Sequence, residues 1–317
     1  MKSLVSVCIP TFNYGEFISG AIRSVLSQSF PDFELIVVDN ASTDATAELM
    51  ETFIRSDPRI RFYRNTENIG IVKNFNRALE HATGDYVKIL CADDLLASSA
   101  LERSLALIQS NPEVSLVTTG RLLVDFRLRP VGYSSYCSKE GSVAGSEVID
   151  RCLFGTNYVG EPSAVLFRRR QATGGFDESY PHLLDMAMWF HLLEQGRLAC
   201  TPEPLTYIRQ HERQLTRDNQ RTGQLLEDKK RIFSAYIAKP YVQKTALRMF
   251  LWRLRAAYSF WKGAYNAGRK ISEFLPPILF YFLLPALVIA DLLGRARSRV
   301  RAIGYMRQTS SQERTAA

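Results

Sequence analysis

Two continuous apolar runs constrain this chain more than any other feature: SLVSVCI at residues 3–9 and FELIVV at residues 33–38. Each has strand length, neither alternates as a half-solvated strand would, and each runs into a polar turn and then a helical pattern. The first helix presents Phe17, Ile18, Ala21, Ile22, Val25 and Leu26 on one face. DNASTD at residues 39–44 caps a second helix carrying Leu49, Met50, Phe53 and Ile54, and a third carries Ile71, Val72, Phe75, Ala78 and Leu79. Strands that are apolar throughout and alternate with helices predict an α/β fold with a mainly parallel sheet covered on both faces. Ligands of such sheets bind beyond the carboxyl ends of the strands.

Three polar turns fall at those ends: Pro10 to Asn13, Asp39 to Asp44, and Cys91 to Asp94. The last closes the run GDYVKILCADDLL (84–96) with adjacent carboxylates, Asp93 and Asp94. Carboxylates at the edge of a buried strand can hold a hard divalent cation against phosphate oxygens. An Asp pair in that place also serves as a helix N-cap or a solvated turn. The pair alone leaves both readings open.

The ordered set SVCIPTFNYGEFISGAIRSVLSQSF, ELIVVDNASTDAT, NTENIGIVKNFNRALEHATGDYV and ADDLL resembles the family-two glycosyltransferases, whose nucleotide-sugar domain has the GT-A fold. The resemblance covers about the first hundred residues, in the family's order. It implies that Pro10, Thr11 and Asn13 line a nucleotide pocket and that Asp39 accepts hydrogen bonds from the base or ribose. Asp93 and Asp94 match the family's D-x-D site, with Asp94 the direct ligand of Mg²⁺ or Mn²⁺ and Asp93 on the nucleotide side. Cys91 stands where the family often has an acidic residue, and a thiol is a poor ligand for Mg²⁺. Asn68 and Gly70 match an N-x-G turn and read equally well as a loop ending before a helix.

GGFDESYPHLLDMAMWFHLLEQG (174–196) resembles the family segment in which a Gly-Phe-Asp-Glu turn precedes an acidic pair opening a Trp-containing helix. Setting Trp189 on the family's Trp places Asp185 on the catalytic carboxylate, with Leu184 replacing the Glu that often precedes it. A sugar hydroxyl attacking an anomeric carbon needs a base within hydrogen-bond reach, and a carboxylate opening a helix is well placed. Without the resemblance, Asp185 reads as a first-turn Asp favoured by the helix dipole. Asp177 and Glu178 read as turn residues. YIRQHERQLT (207–216) resembles the segment that closes over the diphosphate, so Arg209 and Arg213 are expected at the leaving-group oxygens and His211 near the metal.

A chain of 317 residues with 46% hydrophobic content suits two domain-sized units. Its five cysteines, Cys8, Cys91, Cys137, Cys152 and Cys200, form no CxxC pair, which predicts a reducing compartment and no structural zinc. The N-terminus leads straight into the first strand, so a cleaved signal peptide is not expected. The net charge of +8 is unevenly distributed. Residues 1–206 carry 19 Lys and Arg against 25 Asp and Glu, a net of −6, whereas residues 207–317 carry 21 against 7, a net of +14.

A basic C-terminal third points to an anionic surface. Between Val242 and Lys262, Lys244, Arg248, Arg255 and Lys262 form a ridge opposite Phe250, Leu254, Ala257 and Trp261, the pattern of a helix lying in a lipid interface. Residues 274–290 follow without a charge, and no nucleic-acid motif accompanies them. That run is short for a span, is interrupted by Pro276, Pro277 and Pro285, and has basic residues at both ends. A bent re-entrant or interfacial anchor is expected, with a buried helix as the alternative. The division is therefore a GT-A domain over 1–216 (nucleotide-sugar half 1–100, acceptor half 101–216), a basic amphipathic helical region over 217–270, an apolar membrane segment over 271–294, and a basic, disordered tail over 295–317.

The resulting expectation is an inverting glycosyltransferase at the cytoplasmic face of a membrane. It would move a sugar from a nucleoside diphosphate, expected to be UDP, to a hydroxyl of a lipid-linked or cell-envelope glycan. Its partners would be the nucleotide sugar, the acceptor and an anionic membrane surface, and no nucleic acid. The alternatives are a non-catalytic nucleotide- or glycan-binding relative and a metal-dependent nucleotidyltransferase. A Rossmann dehydrogenase is not expected, because no GxGxxG follows the first strand.

Overall fold

The structure, a computed structural model, describes residues 3–211, 214, 224–266 and 296–302. Its N-terminal half runs β1 (Val5–Thr11), α1 (Gly15–Leu26), β2 (Phe33–Asp39), α2 (Thr46–Ser56), β3 (Ile60–Arg64), α3 (Ile71–His81) and β4 (Tyr86–Ile89). All seven residues of β1 and all seven of β2 are buried, as strands covered on both faces must be. Val5, Val7 and Ile9 of β1 share a core with Ile18, Ala21, Ile22 and Val25 of α1 and Met50 of α2. Cys8 points to the other face, where its thiol donates to the carbonyl of Ala78 in α3 at 3.4 Å.

The chain continues through β5 (Leu95–Leu96), α4 (Ala100–Gln109), β6 (Val114–Val124), β7 (Pro130–Ser134), β8 (Gly141–Ala144), α5 (Gly145–Leu153), β9 (Val165–Arg168), α6 (Leu184–Leu193) and β10 (Arg197–Arg209). The sheet order is β3-β2-β1-β4-β9-β6-β10-β5, with β7 added on β6 and β8 on β10. The parallel arrangement holds across β3, β2, β1 and β4. Beyond β4 the sheet turns antiparallel: β9 opposes both β4 and β6, and β5 and β8 oppose β10. The βαβ alternation visible in the sequence stops at about residue 100, and so does the parallel pairing. Because β1 is flanked by β2 and β4, the carboxyl ends of all three strands open at one edge, where connections leave in opposite directions.

Two compact units are distinguished, the first comprising Met1–Arg121, Ser135–Cys152 and Asn157–Arg209, the second Leu122–Ser134, Leu153–Thr156 and Gln210–Ala317. The second contains α7 (Gln224–Tyr236) and α8 (Ala246–Asn266). Phe233 of α7 stacks on Trp252 of α8 at 3.7 Å and meets Phe154 edge-on at 5.7 Å. Here the amphipathic pattern read from the sequence is rearranged. Arg255 donates to the Phe154 carbonyl and Arg248 lies 4.0 Å over the Phe154 ring, so two residues of the basic ridge are engaged by the protein. Leu254 is buried, whereas Leu247, Phe250 and Leu251 are 66%, 52% and 40% exposed. That places an apolar i, i+3, i+4 stripe in solvent.

Among the described residues no helix is long and apolar enough to cross a membrane. The apolar run 274–290 lies outside the described residues. Within the tail, residues 296–302 are helical, and Ser298 bonds both the N–H and the carbonyl of Tyr133 in β7. The rest of the expected tail, residues 303–317, lies outside the described residues.

Candidate active site

At the end of β1, Pro10 and Thr11 are buried, and the Thr11 hydroxyl has no hydrogen-bond partner among the described residues. Asn13 takes φ 57°, donating its N–H to Ser42 Oγ at 2.8 Å while its side-chain oxygen accepts from Thr43 N at 2.8 Å. The DNASTD turn is thereby tied to the PTFN turn. Asp39 is fully buried and already engaged: its carboxylate accepts from the N–H and hydroxyl of Ser42 and lies 3.2 Å from Arg64 Nε. Asn68 receives Asn40 Nδ2 at 2.8 Å and the Gly70 N–H at 2.9 Å. Asn65 in turn donates to Asn40 at 2.9 Å and to Asn74 at 3.0 Å. This asparagine network gives Asn68 and Gly70 a supporting place beneath the turn.

Asp93 and Asp94 leave β4 at the same edge, both buried. Asp94 accepts from Ser163 Oγ at 2.6 Å and from the Arg209 N–H at 3.0 Å. Arg209 Nε reaches the Asp93 carbonyl at 2.9 Å, and its guanidinium lies 5.1 Å over the Phe17 ring. Ser163 also receives the Cys91 N–H at 2.9 Å. Burial and the neighbouring Asp93 charge hold Asp94 well above the usual carboxylate range, against the two hydrogen bonds. Cys91 Sγ and one oxygen each of Asp93 and Asp94 all lie within 4.8 Å of one another. Asp94, whose ionisation is opposed by burial and by the Asp93 charge beside it, is a group that a divalent cation would relieve, so the oxygen donors of the adjacent pair fit Mg²⁺ or Mn²⁺.

Asp185 lies in the first turn of α6, a helix whose only other polar side chain is His191. One of its oxygens accepts the Met186 N–H at 2.7 Å and the other Asn157 Nδ2 at 2.9 Å. Burial raises its pKa to about 7; the Met186 N–H opposes the rise, Glu161 adds to it, and Asn157 opposes it. A carboxylate tuned to neutrality can act as a general base. Trp189 is fully buried, and its indole N–H donates to the Gly160 carbonyl at 3.0 Å. Asp177 accepts the Ser179 N–H at 2.8 Å, as a turn residue does.

The first unit therefore contains Pro10, Thr11, Asn13, Asp39, Asp93, Asp94, Asp185 and Arg209. His211 is buried but belongs to the second unit, and Arg213 lies outside the described residues. Asn157, Gly160, Glu161, Ser163, Arg121 and Lys88 were not singled out from the sequence. Lys88 is the most unusual of these. It is buried within β4 with no partner for Nζ among the described residues, and burial lowers its pKa to about 7 against the pull of Asp94. A charged residue interrupting an apolar strand was its only signal.

The profile of glycosyl transferase family 2 matches residues 6–172, more than half of the chain. The chain belongs to this family and is a glycosyltransferase. An uncharacterized protein of Mycobacterium tuberculosis (strain CDC 1551 / Oshkosh) is 30% identical over 256 residues, 75% of this chain and 77% of the relative. The GalNAc(5)-diNAcBac-PP-undecaprenol beta-1,3-glucosyltransferase of Campylobacter jejuni is 28% identical over 192 residues, 60% of each chain. Among solved structures, S. aureus TarS 1-349 in complex with UDP-GlcNAc superposes with a TM-score of 0.56 at 17% identity, covering 97% of this chain and 92% of that one. The mannosyltransferase PcManGT from Pyrobaculum calidifontis, in complex with GDP-Man and Mn²⁺, gives a TM-score of 0.53 at 21% identity, covering 99% and 85%. Both structural likenesses bear on the fold, which is GT-A.

Proposed function

We propose that this enzyme is an inverting glycosyltransferase that moves a sugar from a nucleoside diphosphate, UDP in our reading, to a hydroxyl of a lipid-linked or cell-envelope glycan. The observation that carries the proposal is the pairing within one unit of a buried Asp93–Asp94 edge with the basic carboxylate of Asp185. Asp94 would hold Mg²⁺ or Mn²⁺, which when bound neutralises charge on the departing diphosphate. Asp93 and Arg209 would flank the nucleotide diphosphate, while Pro10, Thr11 and Asn13 line the nucleoside site with Asp39 behind them. Asp185 would take the proton of the acceptor hydroxyl and direct its oxygen at the anomeric carbon. One displacement inverts that carbon.

His211 and Arg213 are assigned by resemblance to the segment closing over the diphosphate. The acceptor class is supported by the Campylobacter relative, named for an undecaprenol-linked substrate. We divide the chain into the transferase domain to residue 216, the basic helical region to 270, the apolar segment to 294 and the tail. The exposed Leu247, Phe250 and Leu251, together with a C-terminal excess of positive charge, support attachment to an anionic membrane at its cytoplasmic face.

The test is a panel of nucleotide sugars with Mn²⁺ and a polyprenyl-diphosphate glycan acceptor, reading nucleoside diphosphate release and the anomeric configuration of the product. An inverted product dependent on metal is expected. Binding without release would indicate a non-catalytic relative, and pyrophosphate from a nucleoside triphosphate would indicate a nucleotidyltransferase.

A further inference from the structure

Residues 157–163 touch both acidic centres. At one end Asn157 Nδ2 donates to Asp185 at 2.9 Å and to the Gly160 carbonyl at 3.1 Å, while Asn157 Oδ1 accepts the Gly160 N–H at 3.0 Å. At the other end Ser163 Oγ donates to Asp94 at 2.6 Å. The span between is fixed from several sides. Thr118 Oγ1 of β6 donates to the Val159 carbonyl at 2.6 Å, Trp189 holds the Gly160 carbonyl, and Thr206 Oγ1 of β10 donates to the Ser163 carbonyl at 3.1 Å. Gly160 sits at φ 109°, where a Cβ would fall 1.6 Å from Arg121 Nη1, and that arginine pairs with Glu161 at 3.2 Å.

We propose that residues 157–163 form a brace setting the acceptor base and the cation-holding carboxylate in one register, with Asn157 the positioning residue for Asp185 and Ser163 that for Asp94. The inference rests on the roles given to Asp185 and Asp94 above. A base works only when its lone pair meets the attacking hydroxyl while the donor's anomeric carbon is held in line, and displacements near 1 Å are costly. A short loop pinned at each end by a side chain bonded to one carboxylate controls that separation directly. Glu161, the charged group that acts on Asp185 from this loop, is itself held by Arg121 of β6.

The test uses the full chain. Asn157→Asp keeps the side-chain volume and the acceptor for the Gly160 N–H but removes the donor to Asp185. We expect kcat to fall by ~10-fold or more and the acidic limb of the kcat–pH profile to move upward by about half a unit or more, since a hydrogen bond to the charged form is lost and a second carboxylate stands beside it. Donor KM should stay within about twofold, because the donor's carboxylates are untouched. Ser163→Ala should do the reverse, raising donor KM and the dissociation constant for UDP with Mn²⁺ while leaving the acidic limb in place. Carbon-13 titration of the Asp185 carboxyl follows the first coupling without turnover, and Asp185→Asn is carried in parallel. If Asp185→Asn is inactive while Asn157→Asp keeps the wild-type kcat, pH limb and carbon-13 midpoint, the brace is refuted. Normal turnover by Asp185→Asn would instead overturn the base assignment, and the catalytic role of the brace with it.

Discussion

Replacing Asp185 by Asn should separate catalysis from stability in opposite directions. The positioned base is worth ~10²- to 10⁴-fold in turnover, so kcat should drop by that factor while donor affinity is retained. Stability should rise at neutral pH. The folded-state pKa is raised from 3.8 to about 7, so the unfolded chain ionises first and the wild-type fold loses stability progressively as pH climbs between those values. Between pH 5 and pH 7 that amounts to ~3 kcal/mol, taking about 1.4 kcal/mol per unit. Asn carries no such cost, but it has one oxygen to meet two donors, Met186 N–H and Asn157 Nδ2, and the unmet one costs about 1–3 kcal/mol. Urea unfolding should therefore show the variant about level with wild type at pH 5, where the wild type has already lost ~1.7 kcal/mol, and more stable than it at pH 8. The difference between the two measurements should be ~3 kcal/mol. A stability difference that does not vary with pH would refute the argument that burial has raised this carboxyl.

Asp94→Asn should abolish Mn²⁺-dependent UDP binding, read by calorimetry, while leaving the fold intact; unchanged binding would remove Asp94 from the cation site. Gly160→Ala combines a left-handed φ with a clash against Arg121 and should cost about 2–4 kcal/mol, seen as a lowered Tm. The triple change of Leu247, Phe250 and Leu251 to Ser should weaken flotation with anionic vesicles without lowering Tm, since these side chains are exposed. Wild-type flotation should also weaken as salt screens the basic third, and a salt-independent interaction would contradict the charge argument.

The parts of the fold legible in the sequence are those made by local pattern. The runs 3–9 and 33–38 could only be strands buried on both faces, and β1 and β2 are that. The stripes at Phe17 to Val25 and Val72 to Ala78 followed from helical period, and both face the sheet. What stayed hidden is made by contacts distant in sequence. Asn157 meets Asp185 across 28 residues, and Ser163 meets Asp94 across 69. β6 was obscured by its own polar residues: Thr118 and Arg121 interrupt an apolar run because their side chains hold the neighbouring loop. The partners of the α8 ridge were hidden for a related reason, since Arg255, though exposed, donates to the Phe154 carbonyl and half-buried Arg248 lies over the Phe154 ring.

Under the base role proposed for Asp185, the same loop would set its strength without the neighbouring Glu that the resemblance leads one to expect at Leu184. Burial is the largest influence raising the Asp185 pKa, and an acid raised too far would be protonated at neutral pH and unable to accept the acceptor's proton. Met186 N–H and Asn157 Nδ2 stabilise the ionised form and limit the rise, while Glu161 pushes it upward. One of those opposing influences comes from the helix that carries Asp185, and the other two come from the loop that also touches Asp94. A change in that loop should therefore alter basicity and geometry together, which is why the pH limb and the KM-to-kcat split belong in the same experiment.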